Sequence, residues 1–447
     1  MTGMRSGNSG RRTQSDLDAG TFRKINFATI HLMRSFSQCV ITLLLSVFLV
    51  SCSSSEGEGT EVAAETASSV SETTTVFQDA TEIIVERIND EDTIVVGVII
   101  DEENLMSPHD RQAGVSFVGE INKLNETGGL LGKQVTVLRV NSESRLSVVD
   151  AAAKKLIEAG AQLLVLTCEL DYAAPAVRRA KEAEVLVISP CATETEWAAG
   201  SVDKLAFSMT TRAQKYGVEM ANILWDEGNR TVGVLWDNSA PETIQECSSF
   251  KNRWRQLGGR TTIDKAINMV TATDIINAGD RARTLDADSI VLCSFNRVGT
   301  LALQRIRGAG WLTPVIAGLT MDSAAFRPLD ISGIGDFRLL SFASTSNDDP
   351  YSEVRDAAVN FVSVDGVPPA SGRFILGADL AKLWVYAVNA AGTSTSTAVA
   401  EEIKSLETFD AVSGPISFEG TQSVLKRVLR VLQQVDGEMV FQRTWEY

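Results

Sequence analysis

The chain has 447 residues, 44 % hydrophobic and 22 % charged, the balance of a globular protein with room for two domains of ordinary size. Lysine and arginine total 41 against 57 aspartates and glutamates, a formal net charge of -16. The basic field that gathers polyanions is absent, so nucleic acid is not an expected partner.

In chain order, Met33 and Arg34 precede the apolar run "CVITLLLSVFLVSC", Cys39 to Cys52. Its apolar stretch of roughly a dozen residues is shorter than the ~20 a spanning helix needs and fits the h-region of a signal peptide. The run closes on "LVSC" (Leu49 to Cys52), which resembles the bacterial lipobox, where cleavage precedes a cysteine that then receives lipid. The resemblance implies Cys52 as the acylated N-terminus of the mature chain, held to a lipid bilayer without spanning it. Residues 1–32 are polar, basic and without apolar periodicity, consistent with a translation start at Met33. The expected leader is 1–51, with the signal peptide at 33–51. Residues 52–92 begin "CSSSEGEGTEVAAETASSVSETTT", too polar to offset their ordering entropy, and read as a tether. About 40 residues of such coil have a root-mean-square span of about 35 Å.

From residue 93 the text alternates. "TIVVGVII" (93–100) is a buried-strand run; "RQAGVSFVGEINKLNE" (111–126) puts Ala113, Phe117, Ile121 and Leu124 on one helical face; "GGLLGK" turns the chain into the strand "QVTVLRV" (134–140). A helix with Val149, Ala153 and Leu156 inward, the strand "AQLLVLTC", a helix over 173–183 and "EVLVIS" follow. Strands separated by single helices mean βαβ units and a parallel sheet. "LAFSMT" (205–210) reads as a strand crossing between the units. The alternation restarts at "TVGVLWD" (231–237), with a helix to Leu257, the strand "TTIDKAI", a helix near 274–285, "SIVLCSF", a helix to Gly308 and "PVIAGL". After "FRLLSFAS" (337–344) come helices over 352–364 and 375–391, an extended "GPISFEG" and a C-terminal hairpin.

Several stretches together resemble the type I periplasmic solute-binding proteins of branched-chain amino acid and amide ABC importers. They are "INKLNETGGLLGKQVTVLRVNSES", "SVVDAAAKKLIEAGAQLLV", "VLVISPCATE", "QRIRGAGWLTPVIAG", "GADLAKLWVYAVNAAG" and "FDAVSGPISFEG", in order over nearly all of 93–443. The resemblance implies an α/β fold of two doubly wound parallel-sheet lobes, joined by three crossover segments and closing like a hinge on a small polar solute. The expected lobes are 93–210 plus 341–413 and 211–340 plus 414–447. The implied partners are that solute and the permease subunits of an ABC importer, with the chain acting as a monomer. A receptor role, passing a bound-solute signal to a membrane partner, uses the same lobes. A transcription regulator of this architecture would need a helix-turn-helix where this chain has its leader.

Open α/β sheets bind ligands beyond the carboxyl ends of their strands. The candidate contacts are therefore Asn104 and Ser107; Glu169, Asp171 and Tyr172; Cys191, Ala192 and Thr193; and, in the second lobe, Asn238, Ser239, Asn296, Thr320 and Asp322. Thr193 matches a family threonine that holds an amino acid's charged groups. By the resemblance, the family's serine after the third strand falls at Glu169 or a neighbour, its tyrosine at Pro241, and the carboxylate that pairs the amino group near Leu319 or Thr320. These departures speak against an ordinary branched-chain amino acid; Glu169, Asp171 and Asp322 suit a cationic or polyhydroxylated ligand.

Catalysis has little to work with. The only histidines are His31, in the leader, and His109, expected at a cleft rim or on the surface. No GxSxG elbow, GxGxxG turn or GxxxxGK[ST] loop occurs, and no CxxC or histidine pair offers a metal site. No enzyme activity, cofactor or metal is expected. Outside the cytoplasm disulfides persist; Cys168 can pair with Cys191 across adjacent strand ends, and Cys247 with Cys293 in the second lobe.

Overall fold

The computed structural model describes residues 93–447 apart from 199, 272–285, 327 and 329–330. The leader, Cys52, the tether and the helix expected near 274–285 lie outside the described residues.

Five parallel strands form the first sheet, in the order β2-β1-β3-β4-β5: β1 Thr93–Ile100, β2 Gln134–Asn141, β3 Leu163–Leu166, β4 Leu186–Ser189 and β5 Ala206–Ser208. In β1 the two-residue period divides the side chains between two cores. Ile94, Val96, Val98 and Ile100 face one cluster, and Val95 and Ile99 the other. Helices α1 (Ser107–Glu126), α2 (Leu146–Glu158) and α3 (Leu170–Ala183) fill the crossovers, and the short α4 (Thr195–Ala198) precedes β5. The strand expected to cross between the units is the edge strand of this sheet, because Ala206–Ser208 pairs alongside β4. The crossing follows it.

The second sheet has seven strands in the order β14-β13-β10-β9-β8-β6-β7. Its parallel part is β6 Thr231–Asp237, β7 Arg260–Ile267, β8 Ser289–Cys293, β9 Val315–Ala317 and β10 Phe337–Ser341. The hairpin β13 (Val428–Val435) and β14 (Glu438–Glu446) adds an antiparallel edge, so this lobe is not wholly parallel. Helices α5 (Ala213–Asp226), α6 (Pro241–Leu257) and α7 (Asn296–Gly308) belong here. After β10 the chain returns to the first lobe for α8 (Ser352–Asp365), α9 (Phe374–Ala391) and α10 (Ser396–Ser405). Helix α9 is long and apolar enough to cross a membrane by length and composition, but it packs against α1 and α8 in the first lobe. At Gly377 a Cβ would overlap the Ala113 carbonyl of α1, so this close helix approach needs glycine.

The small ribbon β11 (Phe409–Ala411) and β12 (Gly414–Ile416) lies on α9. Phe418 and Val424 pack in the first lobe's core and Ser423 bridges to Ser208. The last crossing therefore follows Val424, whereas the sequence suggested a break after Ser413.

The three crossings, at 209–212, 342–349 and 425–428, are bound together by two buried ion pairs. Arg427 Nη2 donates to Asp379 Oδ2 at 2.7 Å and its Nη1 to the Met209 carbonyl at 3.0 Å. Arg430 grips Asp349 with Nε and Nη2, both at 3.0 Å.

Candidate functional site

Between the lobes a cavity of about 30 Å³ is lined by His109, Cys168, Glu169, Cys191, Thr193 and Arg373 of the first lobe. The second lobe supplies Ala213, Tyr216, Glu242, Phe295, Leu319 and Thr320, and Phe342 comes from the second crossing. The volume admits little more than a water molecule, so a larger solute enters only when the lobes part. Contacts that close the cleft are the His109 ring edge-on to Phe295, with centroids 5.5 Å apart, and the Ala324 N–H donating to the Pro108 carbonyl at 3.2 Å.

Cys168 and Glu169 follow the end of β3 and Cys191 and Thr193 the end of β4, while His109 lies in the first turn of α1. Glu169 precedes α3 just after β3; its carboxylate has no hydrogen-bond partner among the described residues. Burial pushes its pKa up to about 9, reinforced by Glu242 and Glu194 and opposed by Arg373. Glu194 lies after β4, accepts the Leu170 N–H through Oε1, and is raised to about 7 mainly by burial; its Oε2 is buried without a partner. Burial holds His109 at about 3, with Arg373 adding to the effect, so its imidazole is neutral at physiological pH.

Arg373 caps α9 and reaches into the other lobe. Its Nε donates to the Asp322 carbonyl at 2.6 Å and its Nη2 to the Leu319 carbonyl at 2.9 Å. Nη1 makes no hydrogen bond among the described residues. From α6, Glu242 lines the cavity and Glu246 lies beneath Thr320, whose hydroxyl donates to Glu246 Oε2 at 2.7 Å. Burial raises Glu246 to about 7 and leaves its Oε1 unpartnered.

Of the sequence candidates, Glu169, Cys191, Thr193 and Thr320 line this cavity. Asp322 does not: its carboxylate is committed to the Ser341 hydroxyl (2.8 Å) and the Gly372 N–H (3.3 Å), behind Arg373. Ala192 is buried in a core cluster, and its carbonyl accepts the Ser208 and Thr210 hydroxyls. Asn104, Asp171, Asn238 and Ser239 are exposed loop or first-turn residues, while Ser107, Tyr172 and Asn296 are half-buried away from the cavity. His109, expected at a rim or surface, forms part of the wall.

Sequence reasoning missed Arg373, Glu242, Tyr216 and Phe342. Two carried a signal: Arg373 is a lone charge heading an almost wholly apolar helix, and Glu242 follows the helix-opening Pro241 at a strand end. The disulfide Cys168–Cys191, with Cα atoms 4.6 Å apart, forms one stretch of the wall. Cys247 and Cys293 pair beneath the second lobe's surface, Cα atoms 5.6 Å apart. Among the described residues no group of three or more His, Cys, Asp or Glu is arranged to hold a metal ion.

Residues 93–438 match the sequence pattern of the periplasmic binding protein family. The chain belongs to that family. The fold is the type I form, α/β with two lobes. Its solved likenesses include the branched-chain amino acid transporter substrate-binding protein LivJ from Streptococcus pneumoniae, in complex with isoleucine: TM-score 0.66, 17 % identity, covering 79 % of this chain and 99 % of that one. A leucine-binding protein LivK from Thermotoga maritima gives a TM-score of 0.61 at 17 % identity, covering 78 % and 98 %. A solute-binding protein of an ABC transporter from Rhodopseudomonas palustris, in complex with 3,4-dihydroxybenzoic acid, gives 0.64 at 15 % identity, covering 80 % and 98 %. No curated protein matches the chain by sequence.

Proposed function

We propose that this periplasmic binding protein is the lipid-anchored, extracytoplasmic capture subunit of an ABC importer, taking a small polar solute between its lobes. The observation that carries the reading is the convergence of Glu169, Thr193 and Arg373 from one lobe with Glu242, Thr320 and Phe295 from the other on one cavity, at the strand ends where open α/β sheets bind ligands. Polar groups from both sides give a solute contacts that exist together only in the closed form, so binding drives closure. Relatives of this fold were solved with isoleucine and with an aromatic acid, which supports solutes of that size and polarity. The closed form is what a permease would recognise.

Anchoring rests on "LVSC" ending at Cys52. Cys52→Ser should move the protein from the membrane fraction to the soluble one; retention in membranes would remove the anchor from the account. Capture itself is tested by a thermal-shift screen of the chain from about Glu82 onward against amino acids, amides, polyamines, aromatic acids and short peptides. A ligand at 100 times its Kd contributes about 2.7 kcal/mol. If no solute raises the melting temperature, solute capture loses its support.

A further inference from the structure

Resting on the capture reading, we infer that the solute is a small organic molecule of net positive charge that also bears a carboxylate, of the basic amino acid type. Its amino or guanidino groups lie between Glu169 and Glu242, and its carboxylate meets Arg373. Around the cavity, carboxyl groups short of hydrogen-bond partners outnumber cations. The Glu169 carboxyl has no hydrogen-bond partner among the described residues, Glu194 Oε2 has none, and Glu246, with no exposed surface, leaves Oε1 unpaired beneath Thr320. Against these stands one cation, Arg373, only 7 % exposed, with Nη1 free while Nε and Nη2 are taken by main-chain carbonyls. A buried charge needs a partner. A neutral amino acid would bring one ammonium for several acids; a basic one brings two cationic groups and a single carboxylate for the single arginine.

The placement of the acids adds a second reason. Glu169 belongs to the first lobe and Glu242 to the second, and each lines the closed cavity, so closure without solute sets two carboxyls side by side and holds Glu169 protonated. A cation lodged between them favours the ionised form of both carboxyls and attracts both lobes at once, making closure dependent on the solute's charge. One acid comes from each lobe, and no metal-holding group of three occurs among the described residues, which suits an organic cation and not a bare metal ion.

The test is isothermal titration calorimetry on the lipid-free chain at pH 7.5 with L-arginine, L-lysine, L-leucine, putrescine and benzoate. Arginine or lysine should bind at least about 10-fold tighter than leucine, and putrescine, lacking the carboxylate, more weakly than lysine. Glu169→Gln and, separately, Glu242→Gln should each weaken the basic amino acid by about 10-fold or more, and by a larger factor than they weaken leucine. Leucine or benzoate binding tighter than both basic amino acids, putrescine binding tighter than lysine, or unchanged affinity in both variants would overturn the inference while leaving solute capture standing. Silence from every solute in the wider thermal-shift panel would instead overturn the capture reading on which it rests.

Discussion

Removing the charge from Arg427 should destabilise the whole two-lobed domain, because this side chain holds three parts of the chain together at zero exposure. It donates to Asp379 Oδ2 on α9, to the Ser413 hydroxyl at 3.1 Å and to the Met209 carbonyl in the first crossing. In Arg427→Met the Asp379 carboxylate keeps only the Ser413 N–H and hydroxyl, at 2.8 and 2.7 Å. Breaking a buried pair from one side typically costs about 3 to 5 kcal/mol, since the other charge stays buried. That is a large share of the roughly 5 to 15 kcal/mol that holds a folded protein together. Arg427 Nε is itself buried without a partner, so the pair is not perfectly compensated to begin with. Arg427→Met with Asp379→Asn removes both charges while the amide oxygen still accepts from the Ser413 N–H. It should recover at least about 2 kcal/mol of the loss. Urea unfolding followed by tryptophan fluorescence reads this directly, with Trp384 buried one turn along α9 from Asp379. A loss below about 1 kcal/mol in the single variant, or a double variant no more stable than the single, would refute the reasoning.

Thr193→Val should weaken solute binding by about 1 to 3 kcal/mol, about 5- to 150-fold in Kd, because an unmet polar group is left on the solute. Thr193 makes no internal hydrogen bond among the described residues, so urea stability should stay within about 0.5 kcal/mol of the parent; equal calorimetric affinities would dismiss its role. Mass spectrometry should show the unreduced chain lighter than the reduced one by two hydrogens per bridge. Opening Cys168–Cys191, separated by 23 residues, should cost about 3 kcal/mol on loop-entropy grounds. A free thiol at Cys191 in the oxidised protein would contradict the pairing.

The pH dependence has a definite sign. Glu169 is raised to about 9 and Glu194 and Glu246 to about 7, from an ordinary 4.5, so the folded chain holds protons that the unfolded chain releases. Their combined contribution to stability without solute is full below about pH 4.5 and falls as pH rises towards 9. The groups around Glu169 are Glu242, Glu194, Asp110 and Arg373, with neutral His109 on the same wall. Melting temperatures should decline from pH 5 to 9, and Glu169→Gln should flatten the decline. A curve that rises, or one the variant does not alter, counts against the burial of this carboxylate.

Much of this architecture is legible in the sequence because buried parallel strands are nearly continuous apolar runs. "TIVVGVII" and "TVGVLWD" are β1 and β6 to the residue, and "GGLLGK" turns where Gly129 takes φ +76°, with the Lys133 carbonyl too close for any side chain. Helix α5, "AQKYGVEMANILWD", escaped notice because its polar and small residues interrupt the stripe, although Tyr216, Met220, Ile223 and Leu224 all face the core. β5 is legible as a strand in "LAFSMT", but a run of three residues does not say that it pairs with β4 at the edge of the first sheet. The site was legible only halfway. Position after a strand end located Glu169, Thr193 and Thr320, but whether a loop carboxylate turns towards the cleft or back into its own lobe depends on partners far away in the chain. Asp322 turns back because Ser341 and Gly372 meet it, and Arg373 reaches the cleft only because carbonyls 319 and 322 of the other lobe receive it. No local pattern encodes such pairings.

The most direct test of the account is a crystal structure of the protein with the tightest solute from the panel. Capture between the lobes predicts the molecule enclosed in the cleft, touching Thr193 and Glu169 on one side and residues of the second lobe such as Glu242 or Thr320 on the other, with solvent shut out. A solute seated elsewhere, for example in the outer groove of the first lobe between Glu120, Asn360 and Lys382, or one touching a single lobe with the cleft open, would contradict it.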